Sequence, residues 1–124
     1  MKKTPFKRII QYMVITYLGG NYFKIQSGEF VVLVDPTNAR SFKGSNVVLN
    51  TIKSSAVTED KENADLVWIE NQGEYEVKGT HIVGYHAEKE AEEKTCFLFK
   101  LEDISVGILG QLTEEPSPEI VENL

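Results

Sequence analysis

Short apolar segments separated by turn residues recur along most of the chain. Residues 13–18 are rich in β-branched and aromatic side chains, and residues 22–26 alternate so that Phe23 and Ile25 share one face. Residues 30–34 are continuously apolar, which is typical of a strand buried on both faces. The pattern therefore predicts β-strands rather than long helices.

The later part of the chain continues this pattern. Two strands are expected within 71–86, joined at a glycine turn, and the second of them ends at His86. Residues 95–101 and 104–109 flank an acidic two-residue turn and predict a hairpin. The other expected strands are 47–50 and 66–70.

The chain of 124 residues is expected to form a single domain, 1–124, because it contains no internal repeat and no linker. Its apolar content of 41% suffices for a core. Ser117 can cap a short helix whose first position is Pro118. The predicted fold class is α+β and β-rich, with mixed, mostly antiparallel sheets and few helices. Residues 1–12 could form a flexible or helical lead, or an extra edge strand.

The net charge and the cysteine content limit which macromolecular partners and which cellular compartment are expected for this protein. The net charge is −6, with 19 acidic and 13 basic residues. Nucleic acid and anionic membranes are excluded as main partners, because both require a cationic face. No apolar run reaches the roughly 18 residues of a membrane span. Cys96 is the single cysteine, which excludes an internal disulfide and fits a reducing cytoplasm.

His81, His86 and Cys96 are the candidate soft metal ligands, and zinc usually takes three or four ligands. The two histidines are five residues apart on one predicted strand. This odd spacing places them on opposite faces unless a bulge at Gly84 intervenes. A hydrogen-bonded histidine at a strand end is the commoner role for His86, and a buried core thiol is the expected role for Cys96.

The acidic residues give weaker evidence for a functional site than the histidines and the cysteine do. Glu74 and Glu76 would face the same side of a strand, where paired acids can perform acid–base chemistry, but a solvated sheet face is favoured. Residues 89–94 form a charge run expected to be solvated, either as a mobile flap or, preferably, as the loop of a hairpin. The sequence contains no nucleophile elbow, phosphate-binding loop or dinucleotide fingerprint.

Three segments together resemble the metallo-β-lactamase superfamily, in particular its branch of Zn-dependent hydrolases. Residues 13–36 resemble the opening hairpin and the strand that ends in Asp-Pro. Residues 72–86 resemble a Gly-Glu-Tyr-Glu-Val-Lys-Gly signature that leads to a strand bearing a histidine, and 96–112 resemble the next hairpin. The resemblance covers 13–124 and implies the N-terminal half of a four-layer αββα sandwich. The final metal-binding histidine would then lie beyond residue 124.

The main metal-binding motif that the resemblance implies is missing. Active members carry His-x-His-x-Asp-His just after the strand that corresponds to residues 46–50, and the bound metal ions activate a water nucleophile. The same register places Ile52, Ser54, Ala56 and Val57 at the ligand positions. Alkyl groups have no lone pair to donate, and a lone serine hydroxyl is a poor zinc ligand.

The same resemblance assigns further metal-ligand positions to this sequence. The Gly-Asp pair that supplies the bridging carboxylate is Gly110-Gln111 here, and an amide carries no charge to hold two cations together. His86 alone falls near a ligand position, and its neighbour, often Asp in relatives, is Ala87. His86 and Asp35 are therefore predicted to be vestigial metal positions.

These features predict a catalytically silent domain, a binding or structural module without catalytic residues or cofactor. Half of a two-sheet sandwich is expected to leave an apolar sheet face exposed, which predicts a homo-oligomer or a partner chain that covers this face. The alternative is a metal-dependent hydrolase, with zinc as cofactor, that is active only as a longer chain or an assembled oligomer. In that case His86, Asp35 and Glu74 would join ligands from elsewhere.

Overall fold

The computed structural model describes residues 12–52 and 65–123. Within them, two sheets and one short helix confirm the predicted β-rich architecture. The elements are β1 (Met13–Tyr17), β2 (Phe23–Ser27), β3 (Phe30–Val34), β4 (Val47–Leu49), β5 (Val67–Ile69), β6 (Gly73–Val77), β7 (Thr80–His86), β8 (Thr95–Leu101), β9 (Ile104–Ile108) and α1 (Pro118–Asn123). Of the predicted lead 1–12, all but Tyr12 lies outside the described residues. No helix in the described ranges is long and apolar enough to cross a membrane.

Strands β1 to β5 form the first sheet in chain order. The β1–β2 and β2–β3 pairs are antiparallel, whereas β3–β4 and β4–β5 are parallel, so the sheet is mixed. Strand β3 is buried on both faces, as its unbroken apolar run predicted. Val32 belongs to the core between the sheets, and Val31 belongs to a second cluster on the outer face. In that cluster Trp68 packs edge-on against Phe42, with ring centroids 5.5 Å apart.

Strands β6 to β9 form the second sheet as three consecutive antiparallel hairpins. The β6–β7 turn contains Lys78 and Gly79, and the β8–β9 turn contains Glu102 and Asp103. All four residues have positive φ. Positive φ at both central positions is the geometry whose twist matches that of the flanking strands. The acidic turn predicted between the last two strands is therefore confirmed.

One apolar core lies between the two sheets. Burial of each side chain of this kind contributes roughly 1.5–3 kcal/mol relative to exposure, so each sheet stabilises the other. The core residues are Ile25, Val32, Val34, Val47, Leu49, Ile69, Val77, Ile82, Phe97, Phe99, Leu101 and Val106.

A smaller cluster covers part of the outer face of the second sheet. Cys96 is fully buried there with Ala87 and Ile120, and Ile120 is the buried residue through which α1 docks. Burial raises the pKa of the Cys96 thiol, and the negative charge of Glu90 raises this pKa further. The thiol is therefore a neutral packing group, as predicted.

Part of the charge run 89–94 is buried, contrary to the expectation that it is solvated. The run lies in the loop of the β7–β8 hairpin, as preferred, but the Glu90 side chain is only 2% exposed and that of Lys94 8% exposed. The Lys94 Nζ lies 2.9 Å from Glu90 Oε1. Glu90 also accepts hydrogen bonds from the N–H groups of Thr113 and Glu114 and from the Thr113 hydroxyl. The expectation failed because these donors come from a distant part of the sequence.

This group of Glu90, Lys94, Thr113 and Glu114, here named the Glu90 latch, fastens the β7–β8 loop to the segment that follows β9. Burial by itself would raise the pKa of Glu90, but the hydrogen bonds from Lys94, Thr113 and Glu114 lower it to about 2. Lys94 Nζ also donates to the Gln111 carbonyl oxygen at 2.6 Å. The latch therefore fixes the position of the chain just after Gly110.

Replacing Gly84 by Ala should destabilise the domain. A Cβ at this position would lie 2.7 Å from the Asn71 carbonyl oxygen and 3.2 Å from the Phe97 and Thr95 side chains. We expect the free energy of unfolding to fall by about 1–3 kcal/mol in urea denaturation, because backbone cannot yield as a flexible side chain would. Gly107→Ala, in an exposed strand position of β9, is the control. Equal stability of the two variants would contradict the close packing at Gly84.

Replacing Glu90 by Gln should flatten the pH dependence of stability. Since the folded-state pKa of Glu90 lies near 2, below its ordinary value of 4.5, its carboxylate stabilises the fold above pH 4.5. That contribution is lost as the pH falls from about 4.5 to about 2. Urea unfolding at several pH values in this window measures it, and Glu92→Gln, in an exposed position, controls for loss of one charge. Parallel profiles for wild type and Glu90→Gln would refute the role of the latch.

Candidate functional site

The parallel strands β3, β4 and β5 end side by side at one edge of the first sheet. Ligands commonly bind at the carboxyl ends of parallel strands, which makes this edge the candidate site. Two residues of the second sheet and its flank contact the same edge. They are Thr95, the first residue of β8, and Gly110, which follows the end of β9 by two residues. The resulting group, here named the sheet junction, consists of Asp35, Asn50, Thr51, Glu70, Thr95 and Gly110.

Asp35 connects the ends of β3 and β4. Its Oδ1 accepts a hydrogen bond from the Thr51 N–H at 2.7 Å, and its Oδ2 accepts one from the Thr51 hydroxyl at 2.5 Å. Its own N–H donates to the Leu49 carbonyl oxygen at 3.0 Å. Its partner Thr51 lies sixteen residues further along the chain. The parallel pairing of Val34 with Leu49 is what brings Thr51 within reach.

The electrostatic environment of Asp35 is that of a structural acceptor. Burial raises the pKa of this carboxyl, and the hydrogen bonds from the Thr51 hydroxyl and N–H offset only part of the increase. Its φ of 47° lies in the left-handed region, which aspartate tolerates better than most residues. Both carboxylate oxygens of Asp35 are engaged by one neighbour, Thr51.

Thr51 in turn joins the two sheets. Its carbonyl oxygen accepts a hydrogen bond from the Thr95 N–H at 2.9 Å, and the Thr95 hydroxyl donates to the Glu70 carbonyl oxygen at 3.1 Å. Next to this pair, Ile52 forms an isolated antiparallel bridge with Lys94. The junction is therefore a continuous set of hydrogen bonds between strand ends.

Gly110 packs directly against Thr51. A Cβ on Gly110 would lie 2.7 Å from both the Cβ and the Oγ1 of Thr51, and Gly110 has a φ of 71°, so only glycine suits this position. The next residue, Gln111, stands where the resemblance implies a bridging carboxylate. The side chain of Gln111 is an amide. Its main-chain carbonyl oxygen accepts a hydrogen bond from Lys94 Nζ.

The two histidines lie on opposite faces of β7, as the odd spacing predicted. The register of β7 is unbroken through Gly84, so there is no bulge. His86 is exposed at the end of β7, opposite Thr95. His81 Nε2 lies 3.4 Å from Glu74 Oε1, and both side chains are largely exposed. The expectation that Glu74 belongs to a solvated sheet face is confirmed.

The residues present do not fit the metal centre that the resemblance implies. Among residues 12–52 and 65–123, no three His, Cys, Asp or Glu side chains are grouped closely enough to hold an ion. Asp35 is engaged by Thr51, and Ile52 carries no donor. The other three implied positions, Ser54, Ala56 and Val57, lie outside the described residues. By side-chain chemistry they offer one hydroxyl, which is too few ligands for zinc.

Two concave surfaces adjoin these residues. An apolar groove of about 360 Å³ opens beside Asp35 between the sheets and is lined by Ile15, Phe23 and Val106, among others. An open cleft of about 710 Å³ lies between the β6–β7 hairpin and the start of α1, and its lining includes His86. The acidic side chains of the cleft are Glu74, Glu88 and Glu119.

Two features of the site escaped the sequence analysis. Thr51, the residue that joins strands and sheets, is the second of two polar residues that follow the buried apolar strand β4, and polar residues there are a signal for a role at a strand end. The buried Glu90–Lys94 pair has the spacing of an ordinary exposed ion pair, so no local signal revealed its burial. Both roles depend on residues far away in the sequence.

Comparison with known proteins identifies the family. The model of the beta-lactamase superfamily domain matches residues 14–124. A candidate Zn-dependent hydrolase of the metallo-β-lactamase superfamily from Thermotoga maritima has a similar structure, with a TM-score of 0.72 and 24% identity over 90% of this chain and 56% of that one. A candidate metal-dependent hydrolase from Parabacteroides distasonis ATCC 8503 gives a TM-score of 0.56 and 13% identity over 81% of this chain and 61% of that one. No curated protein matches significantly.

The solved structures show the shared fold, and this chain spans only 56% and 61% of their lengths. The predicted likeness to the N-terminal part of this fold is therefore confirmed as a partial match. The family match extends over nearly all of the chain, including the sheet junction, the second sheet and α1. On that basis the chain belongs to the beta-lactamase superfamily.

Proposed function

We propose that this domain is catalytically silent and acts as a binding or structural module of metallo-β-lactamase fold. The observation that most supports catalytic silence is that Asp35 serves as a structural hydrogen-bond acceptor. At the edge where the family resemblance implies a metal centre, this acid bonds Thr51 through both oxygens and holds the fold together. Ile52 has no lone pair to donate, and the Gln111 amide lacks the negative charge of a bridging carboxylate.

The second part of the proposal is that the domain works through its surface. Its large exposed apolar residues include Val14, Ile15 and Tyr17 on β1 and Ile104 on β9. Exposed apolar surface of this kind supports association with another chain, either a second copy or a different partner. The lone, buried Cys96 supports a cytoplasmic location, where thiols stay reduced.

One alternative has a specific observation in its favour. Both solved structures are named as candidate metal-dependent hydrolases and are longer than this chain. A hydrolase active only in a longer or assembled form would need His86, Asp35 and Glu74 to join ligands from outside residues 1–124, with zinc as the cofactor. In the structure Asp35 accepts hydrogen bonds from Thr51, and Glu74 Oε1 lies 3.4 Å from His81 Nε2.

Metal analysis separates the two functions. Protein purified without chelators and then incubated with Zn²⁺ or Mn²⁺ should retain far less than one ion per chain by mass spectrometry. His86→Ala should leave that value unchanged, because one imidazole does not hold a catalytic ion. Stoichiometric metal that is lost in the His86→Ala variant would establish the alternative and overturn the proposal.

Substitution of Asp35 tests its structural role. Asp35→Ala leaves the buried Thr51 N–H without its acceptor, so we expect the free energy of unfolding to fall by about 1–3 kcal/mol. Asp35→Asn keeps a side-chain oxygen for that N–H and tolerates positive φ, so its loss should be smaller. Urea denaturation measures both variants. If Asp35→Asn is as damaging as Asp35→Ala, the strand-end hydrogen bond is not what Asp35 provides.

A further inference from the structure

Strand β1 is an edge strand of the first sheet within the described part of the chain. It pairs with β2 on one side, and no other strand of the described chain pairs with its second side. Apolar side chains remain exposed on both of its faces, with Val14 at 53%, Ile15 at 55% and Tyr17 at 62%. Residues 12–22 contain no charge and no proline. Natural proteins usually protect such an edge with charges, proline or a bulge, because free N–H and C=O groups recruit another strand.

The other edges of the described sheets carry the protection that β1 lacks. Strand β6 has Glu74 and Glu76, which would repel a second copy aligned along it. Strand β5 has three residues and is followed by Glu70. Strand β9 is preceded by Glu102 and Asp103 and contains Gly107, which weakens strand pairing. The absence of charged residues therefore distinguishes β1 from the other edge strands, and it lets β1 pair with the same strand of a second copy.

We propose that two copies of this chain associate by antiparallel pairing of β1 with β1 around a two-fold axis at Ile15. This interface rests on the proposed binding function and gives it a partner and a surface. In this register Met13 lies opposite the second copy's Tyr17, and Val14 lies opposite its Thr16. Each copy contributes the same uncharged strand, so no like charges meet, and isologous pairing is the commonest symmetry of dimers.

The same pairing joins the two five-stranded sheets into one continuous sheet. Ile15 also lines the apolar groove between the sheets, so the second copy's β1 would lie beside the mouth of that groove. A pair of five-residue strands is a small interface, and small interfaces dissociate on dilution. We therefore expect a dimer whose population depends on concentration.

A matched pair of double variants tests the register. Val14→Glu/Thr16→Glu places like charges opposite each other at both Val14–Thr16 contacts, whereas Val14→Lys/Thr16→Glu places opposite charges there. In both variants the new acid at position 16 faces Lys24 of its own chain, and position 14 faces Gln26, so the folds are comparably supported. Ile104→Glu, which adds one acid at the other exposed apolar edge, is the control.

Light scattering after size exclusion, over a concentration series of the full 124-residue chain, gives the masses. We expect the wild type to approach twice the monomer mass of 14.0 kDa. The Glu/Glu variant should raise the dimer dissociation constant about two- to thirtyfold, since like charges then meet at both cross-strand pairs. The Lys/Glu variant and Ile104→Glu should dimerise like the wild type, and circular dichroism should confirm that all are folded.

Each other outcome overturns the inference in a distinguishable way. A wild type that is monomeric at all concentrations excludes self-association, and hydrogen exchange of β1 then tells whether another part of the chain covers this edge. A dimer that tolerates the Glu/Glu variant, or that dissociates with Ile104→Glu, uses a different surface. Neither result bears on catalytic silence, which the metal analysis tests separately.

Discussion

The hydrogen bonds from Thr51 to Asp35 hold together the place where the most elements of this fold meet. Through them the ends of β3 and β4 stay in register, and through the Thr51 carbonyl the first sheet reaches β8 of the second. A buried N–H left without an acceptor costs about 1–3 kcal/mol, so an acceptor at this point is a requirement of the fold. Gly110 completes the constraint, because its missing side chain lets the chain after β9 approach Thr51.

This constraint gives the acid at the end of β3 a role in the fold that requires no metal. Its two oxygens accept hydrogen bonds from the Thr51 N–H and hydroxyl groups, so the fold itself is a reason to keep an acid at this position. Under the proposal of catalytic silence, this structural role is separate from the chemistry of the family, because a site is carried by a fold and is not a property of it.

The buried charges show a second way in which the fold is held. The Glu90 latch supplies a carboxylate whose side chain is only 2% exposed with one ammonium group and several neutral donors, and these hydrogen bonds keep it ionised. It anchors the segment from Gln111 to Glu114 without using apolar packing. Exposed large apolar side chains are most concentrated on β1, whose second side pairs with no other strand of the described residues.

The strands, the acidic turn, the burial of β3 on both faces and the missing ligand motif could all be recognised from the order of the residues. Periodicity, turn chemistry and side-chain donors are local properties, so they can be recognised without a structure. The bonds of Asp35 to Thr51, the burial of Glu90 and the place of the uncharged strand β1 at a sheet edge became visible only in the folded chain. These outcomes depend on which strands become neighbours. Pairing partners lie many residues apart, and local patterns carry no information about that distance.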